Sequence, residues 1–401
     1  MRNPPSRKGR RFLGHAAVGV AMAVAVVAST APARAQGGLT PRPVEATSLA
    51  RDVFATGTLT RDQGALPGDL WKGAGAATIE RLLDASPARP SGAALGDALR
   101  RTLLSAGDAP AGATAALGGK KLIALVRAGY VDSARTVASL SNAGANDPSI
   151  AEALALADLL DGKVDDACKR NAALASGRDA PFWVRLRVVC YAQRGEREAA
   201  ELTLSLLREQ GALSDTDETL LSALVAGASP KTPPLINDAF HLAAWRMLKL
   251  PLAPSLLREA DGGVLKAVAA DASFDPSVRA AAAVLAADMG AASRSELVDL
   301  YRTLPSPSGA LGAKKSGDDP YADVLAWRET QAMTDPGRLR DRATRVAAEI
   351  GKAKSRRALR AAALVYANDL QSFEGVLLAP ADYGRFALAR LALGDAAGAA
   401  K

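Results

Sequence analysis

Aromatic residues make up only 4% of the 401-residue chain, and there are two cysteines and two histidines. Strands favour aromatic and β-branched side chains, so their scarcity argues against a sheet-based fold. With so few histidines and cysteines, a zinc site lacks ligands. Past the N-terminus the sole histidine is His241, four residues before Trp245 in a helical pattern. It reads as a packed or surface imidazole rather than a catalytic base. No G-x-S-x-G elbow accompanies any serine, so a serine-based triad has no local support. Gly73-Ala-Gly75 follows no strand, and Gly118-Gly119-Lys120-Lys121 lacks the glycine spacing of a phosphate loop. No catalytic, cofactor-binding or metal-binding constellation emerges, and a non-enzymatic role is expected. What the chain does have is alanine, at 89 positions. Alanine is the best helix former and carries no side-chain entropy cost, so an all-α protein follows.

The net charge of +8 suggests nucleic acid at first sight, but its distribution argues otherwise. Residues 1–35 contain six basic groups (Arg2, Arg7, Lys8, Arg10, Arg11, Arg34) and no acidic ones. They follow the layout of a secretory signal: a basic start to His15, a small apolar run from Ala16 to Thr30, then Ala33-Arg34-Ala35 before Gln36. The apolar run is shorter than the roughly 20 residues needed to span a bilayer. Cleavage after Ala35 and a periplasmic or secreted location are therefore expected. Arg10-Arg11-Phe12-Leu13 falls short of a full twin-arginine motif, which leaves the export route open between the general and twin-arginine systems. No later segment is long and apolar enough to cross a membrane. Without residues 1–35 the net charge is +2.

Residues 36–68, with scattered Pro41, Pro43, Gly57 and Pro67, read as a flexible leader. Helical rhythm starts near Leu70. In the middle it acquires a period of 33 residues: Gly129, Gly162 and Gly195 recur at that spacing, as do Ala134, Ala167 and Ala200, and Pro148 and Pro181. Each unit reads as an apolar helix, a glycine that ends it in the left-handed conformation, a short turn and a second helix beginning near the alanine. The small alanine lets the second helix press on the first.

This pattern resembles the tetratricopeptide family, whose 34-residue helix–turn–helix unit has a glycine before the turn and an alanine in the second helix. The resemblance covers about residues 115–212. The first-helix Trp and Tyr are absent, a proline opens the unit, and the period is one residue short. The pattern returns at Ala223–Gly227 and, 199 residues after Gly195, at Gly394 with Ala399. The resemblance implies an array of antiparallel helix pairs, a helical solenoid with a concave binding face. The expected organisation is repeats over 69–230, irregular helical repeats over 231–304 that include a helix over Leu235–Leu250, an exposed loop over 305–320, and repeats over 321–401 that include a helix over Lys354–Asp369. The last unit stops at the start of its second helix, so either more chain or a second copy is expected to cover it.

Two features stand out as candidate sites. Cys168 starts the second helix of one unit and Cys190 lies in the first helix of the next. In an oxidising compartment a disulfide between them would pin adjacent units; the competing reading is two buried thiols facing apart. The second is a run of nine basic residues, Arg338, Arg340, Arg342, Arg345, Lys352, Lys354, Arg356, Arg357 and Arg360, against only Asp341 and Glu349. It reads either as a solvated helix face or as a cationic patch for an acidic partner or envelope polyanion. Export and the lack of stacking aromatics in it argue against nucleic acid. The expected function is an exported, non-catalytic scaffold or adaptor that binds a protein or peptide of the cell envelope. The alternative is a superhelical domain resembling that of soluble lytic transglycosylases, with its catalytic part beyond residue 401.

Overall fold

The computed structural model describes residues 52–141, 147–305 and 320–400. The expected signal segment over residues 1–35, residues 36–51 and almost all of the expected 305–320 loop lie outside the described residues. Those described are all-helical, with one isolated bridge between Gly75 and Ala111 as the sole strand-like pairing among them. After α1 (Ala76–Asp84) and α2 (Ala93–Leu104) come the paired helices. These are α3 (Ala115–Arg127) with α4 (Val131–Leu140), α5 (Pro148–Leu160) with α6 (Val164–Ala173), and α7 (Pro181–Gln193) with α8 (Arg197–Glu209). The first member of each pair has 13 residues.

The glycines act as the period requires. Gly129, Gly162 and Gly195 have φ of 93°, 74° and 75°. The residue after each returns its N–H to a carbonyl five residues back, as Tyr130 does to Leu125 at 2.9 Å, so orphan C-terminal carbonyls are satisfied. Ala134, Ala167 and Ala200 are at most 1% exposed. Pro148 and Pro181 sit at the first helical position, where a missing N–H costs nothing.

Beyond them follow α9 (Asp215–Ala226), α10 (Ala239–Met247), α11 (Gly262–Ala270), α12 (Pro276–Asp288) and α13 (Arg294–Thr303). The chain continues with α14 (Pro320–Gln331), α15 (Leu339–Gly351), α16 (Arg356–Val365), α17 (Ala367–Ser372), α18 (Pro380–Ala392) and the short α19 (Ala396–Ala399). Pro276 precedes Gly290 by the same 14 residues that separate Pro148 from Gly162, so α12 and α13 form another pair of the same design. Two apolar cores meet at α12. Ala282 and Ala286 belong to the core built on α1–α11, and Ala280, Ala283 and Ala287 to the core shared with α13–α18. A helix faced with alanine admits neighbours closely on both sides.

Three expectations need correction. Residues 52–68 are not a free leader. Val53 and Phe54 are 1% exposed, and the buried Lys121 of α3 donates from Nζ to the carbonyls of Phe54 (2.7 Å) and Thr56 (2.8 Å). A buried ammonium must find such acceptors, and here they belong to the segment it anchors. Residues 235–238 do not join α10, because Asp238 caps that helix by accepting from the His241 N–H. The helix expected over 354–369 breaks at Tyr366 into α16 and α17.

A fourth correction bears on function. The face formed by the first helices of the pairs is not an open concave surface. α10 packs on α5 and α7, and α11 packs on α3 and α5. The approach is backbone to backbone. A Cβ on Gly262 would lie 2.6 Å from the Ala128 carbonyl oxygen, and one on Gly263 would lie 2.5 Å from that of Val126. Arg246 of α10 reaches the other end of the contact and donates to the carbonyls of Leu159 (3.3 Å) and Leu160 (2.8 Å) at the C-terminus of α5.

Candidate functional site

What α10 and α11 leave uncovered on the first-helix face is a cleft of about 520 Å³, within the size range of small-ligand sites. Its floor is apolar: Ile123 and Val126 from α3, Leu156 and Leu160 from α5, Phe182 from α7 and Phe240 from α10. Its polar groups come from five places. Arg127 ends α3, Glu152 lies near the start of α5, Arg185 projects from α7, Asn237 and Asp238 lead into α10, and Asp261 caps α11. Arg89 and Glu259 close one edge with an ion pair of 2.9 Å.

Some of these groups already have partners. Arg185 pairs with Asp217 and with Asp238 (2.9 Å) and lies over the Phe240 ring at 4.2 Å. His241 is buried and accepts the Asn237 N–H at Nδ1 (3.2 Å), so Nε2 carries the proton and faces Asp217 Oδ1 at 3.2 Å. That network holds Asp217 down at about 2: burial opposes this, but the hydrogen bonds from His241 and Ser214 and the Arg185 charge outweigh it. His241 is thus part of a buried polar network that fixes α7, α9 and α10 together.

Other groups are not engaged. Arg127 makes no ion pair or hydrogen bond among the described residues, and neither does Glu152. Burial pushes Glu152 up to about 7, opposed by the charge of Lys120. Burial also pushes Asp261 up to about 8, opposed by the Val264 N–H it accepts, with the neighbouring Asp238 raising it further and Arg127 lowering it. The buried Arg89 Nε, Arg185 Nε and Asn237 Oδ1 have no hydrogen-bond partner among the described residues. Buried polar atoms are ordinarily paired; three of the seven partnerless ones among the described residues lie in this cleft, where a ligand can supply partners.

The cysteines lie apart from this cleft. Cys168 in α6 and Cys190 in α7 form a disulfide with their Cα atoms 5.7 Å apart. It joins consecutive helix pairs across 22 residues of sequence, a closure that stabilises by about 3 kcal/mol in the chain-entropy picture.

The basic run at 338–360 does not present nine free charges. Arg338 pairs with Asp341 (3.2 Å), Arg345 with Glu329 (2.9 Å) and Glu349 (3.0 Å), Lys352 with Glu349, and Arg357 with Asp288 (3.2 Å). Arg342 is bound to the buried Asp369. Arg356 donates to the Ser91 carbonyl at 2.6 Å and Arg360 to that of Ala392 at 2.7 Å. Among the described residues, only Arg340 and Lys354 of this run lack such a partner. The pattern is general here. Arg246, Arg279, Arg294, Arg328 and Arg360 each donate to carbonyls at the C-terminal end of a neighbouring helix, where helix dipoles favour a cation. Arginine is used here as a helix cap in trans, while the charge of the 338–360 run is mostly matched by carboxylates within the molecule.

Among the described residues there is no cluster of histidine, cysteine and acidic side chains that could hold a metal, and no helix long and apolar enough to cross a membrane. Over the described residues this is an all-helical protein of paired helices, with a ligand-sized cleft on the first-helix face and a second cavity of about 460 Å³ between the start of α6 and the end of α10. No protein-family model matches the chain, and no curated protein or solved structure is significantly similar to it.

Proposed function

We propose that this is an exported, non-catalytic binding protein of tetratricopeptide-like design, which captures a peptide or protein segment of the cell envelope in the cleft between α3, α5, α7 and the N-termini of α10 and α11. The observation that carries the reading is the concentration of partnerless buried polar atoms in that cleft. A ligand entering the cleft can pair these three atoms, as a receptor site requires. The N-terminal basic–apolar–A-x-A layout and a disulfide between helix pairs support export. The covered face favours a short segment over a long chain laid along a groove.

The test is affinity capture from an envelope fraction with three forms of the mature protein. Ala88→Trp places an indole in the cleft from a half-buried edge position and is expected to abolish capture. Charge reversal at Arg356 and Arg357, both already engaged within the molecule, is expected to leave capture intact. Retention of the partner by the Ala88→Trp form would end this reading.

A further inference from the structure

The cleft's unsatisfied groups are ordered along its length. α3 and α5 run side by side in the same direction. A Cβ on Gly119 would lie 2.4 Å from Ser149 Cβ near their N-terminal ends, and Gly263 faces both the Val126 carbonyl and the Leu160 side chain at their C-terminal ends. Glu152 therefore stands at one end of the cleft and Arg127 at the other. Glu152 and Leu160 are eight residues apart on α5, and the helical rise makes that about 12 Å. Arg89 belongs to the Arg127 end, because the neighbouring Ala88 carbonyl accepts from the Gly262 N–H at the start of α11. One end thus offers the exposed guanidinium of Arg127 and the free N–H of Arg89 Nε, beside the buried Asp261 and the Arg89-paired Glu259, and the opposite end the carboxyl group of Glu152. Between them lie an unsatisfied donor, Arg185 Nε, an unsatisfied acceptor, Asn237 Oδ1, and the apolar floor.

This order matches the chemistry of a free short peptide. A carboxylate suits Arg127 and Arg89, and an ammonium suits Glu152. A backbone carbonyl and amide suit Arg185 Nε and Asn237 Oδ1, and apolar side chains suit Ile123, Leu156 and Phe182. We propose that the cleft binds a peptide of about three residues with both termini free, held by Arg127 at its carboxylate and Glu152 at its ammonium. A chain of that length spans roughly the 12 Å between the two ends. The proposal rests on the cleft being the binding site, and it narrows the captured segment to a small zwitterion.

Calorimetric titration of the mature protein with the tripeptide alanyl-leucyl-alanine, its N-acetylated form and its C-amidated form tests it. The free tripeptide is expected to bind, and either modification to weaken binding about tenfold or more, as expected for loss of a charged hydrogen bond. Arg127→Ala should bind free and amidated peptide equally while still discriminating against the acetylated one. Glu152→Gln should show the reverse. Both side chains lack structural partners, and unchanged melting temperatures would verify that the variants fold. Absence of binding by the free tripeptide, or equal binding of all three forms, overturns the proposal. Capture of a larger envelope partner that Ala88→Trp abolishes would leave the broader reading standing even then.

Discussion

Asp261 and Glu152 have the most altered environments of the cleft's side chains, and both carboxyls are pushed up by burial, to about 8 and about 7. The folded protein therefore keeps protons that the unfolded chain has released by pH 5. The stability tied to those protons is complete below the ordinary carboxylate range and is lost as pH rises through 7 and 8. Asp217, held at about 2, acts with the opposite sign and only below about pH 4. Urea midpoints of the mature protein should consequently fall between pH 5 and pH 8. Asp261→Asn still provides an N-cap to α11 and should flatten most of that decline. A variant that keeps the full decline would show that Asp261 is not the buried acid inferred here. Neither cleft residue was legible in the sequence. Glu152 near a helix start and Arg127 at a helix end are where the dipole favours those charges on any surface helix, so nothing in the local pattern distinguished them.

At the scale of elements, packing rather than propensity decides which glycines are tolerated within helices. Gly119 lies inside α3, where alanine would ordinarily stabilise by up to about 1 kcal/mol. A Cβ there would meet Ser149 at 2.4 Å, whereas one on Gly384 in α18 meets nothing within 4 Å. Gly119→Ala is therefore expected to destabilise by about 1–3 kcal/mol and Gly384→Ala to stabilise by about 0.5–1 kcal/mol, measured as chemical denaturation midpoints. Stabilisation by both would mean that α3 and α5 are not in the close contact described. The glycines that end helices were readable because their spacing from proline and alanine repeats. The glycines that permit close approach, Gly118 and Gly119 in α3 and Gly262 and Gly263 in α11, were not, because their reason lies in a partner distant in sequence. For the same cause the return of α10 and α11 onto the first-helix face was invisible, and an open concave surface was expected in its place. Pro276 and Gly290 did carry the repeat spacing, and that pair shows the signal extends further than the three central units.

For the whole molecule, the charge of +8 resolves into separate parts. Six positive charges sit in the N-terminal segment. Most of those at 338–360 are spent on carboxylates, and Arg356 and Arg360 on backbone carbonyls; Glu329, Asp369 and Asp288 lie outside the run, so the run alone does not reveal them. Of the seven buried side-chain polar atoms without a hydrogen-bond partner among the described residues, three belong to the cleft, on a face that α10 and α11 have otherwise closed. The account's central claim is that binding happens there. Hydrogen–deuterium exchange of the protein, free and loaded with a partner of the kind proposed for the cleft, tests this most directly. The account predicts slowed exchange confined to the amides of α3, α5 and α7 around the cleft and to residues 237–240 and 259–263. Slowed exchange at 338–360 or along α4, α6 and α8, with the cleft unchanged, would contradict it.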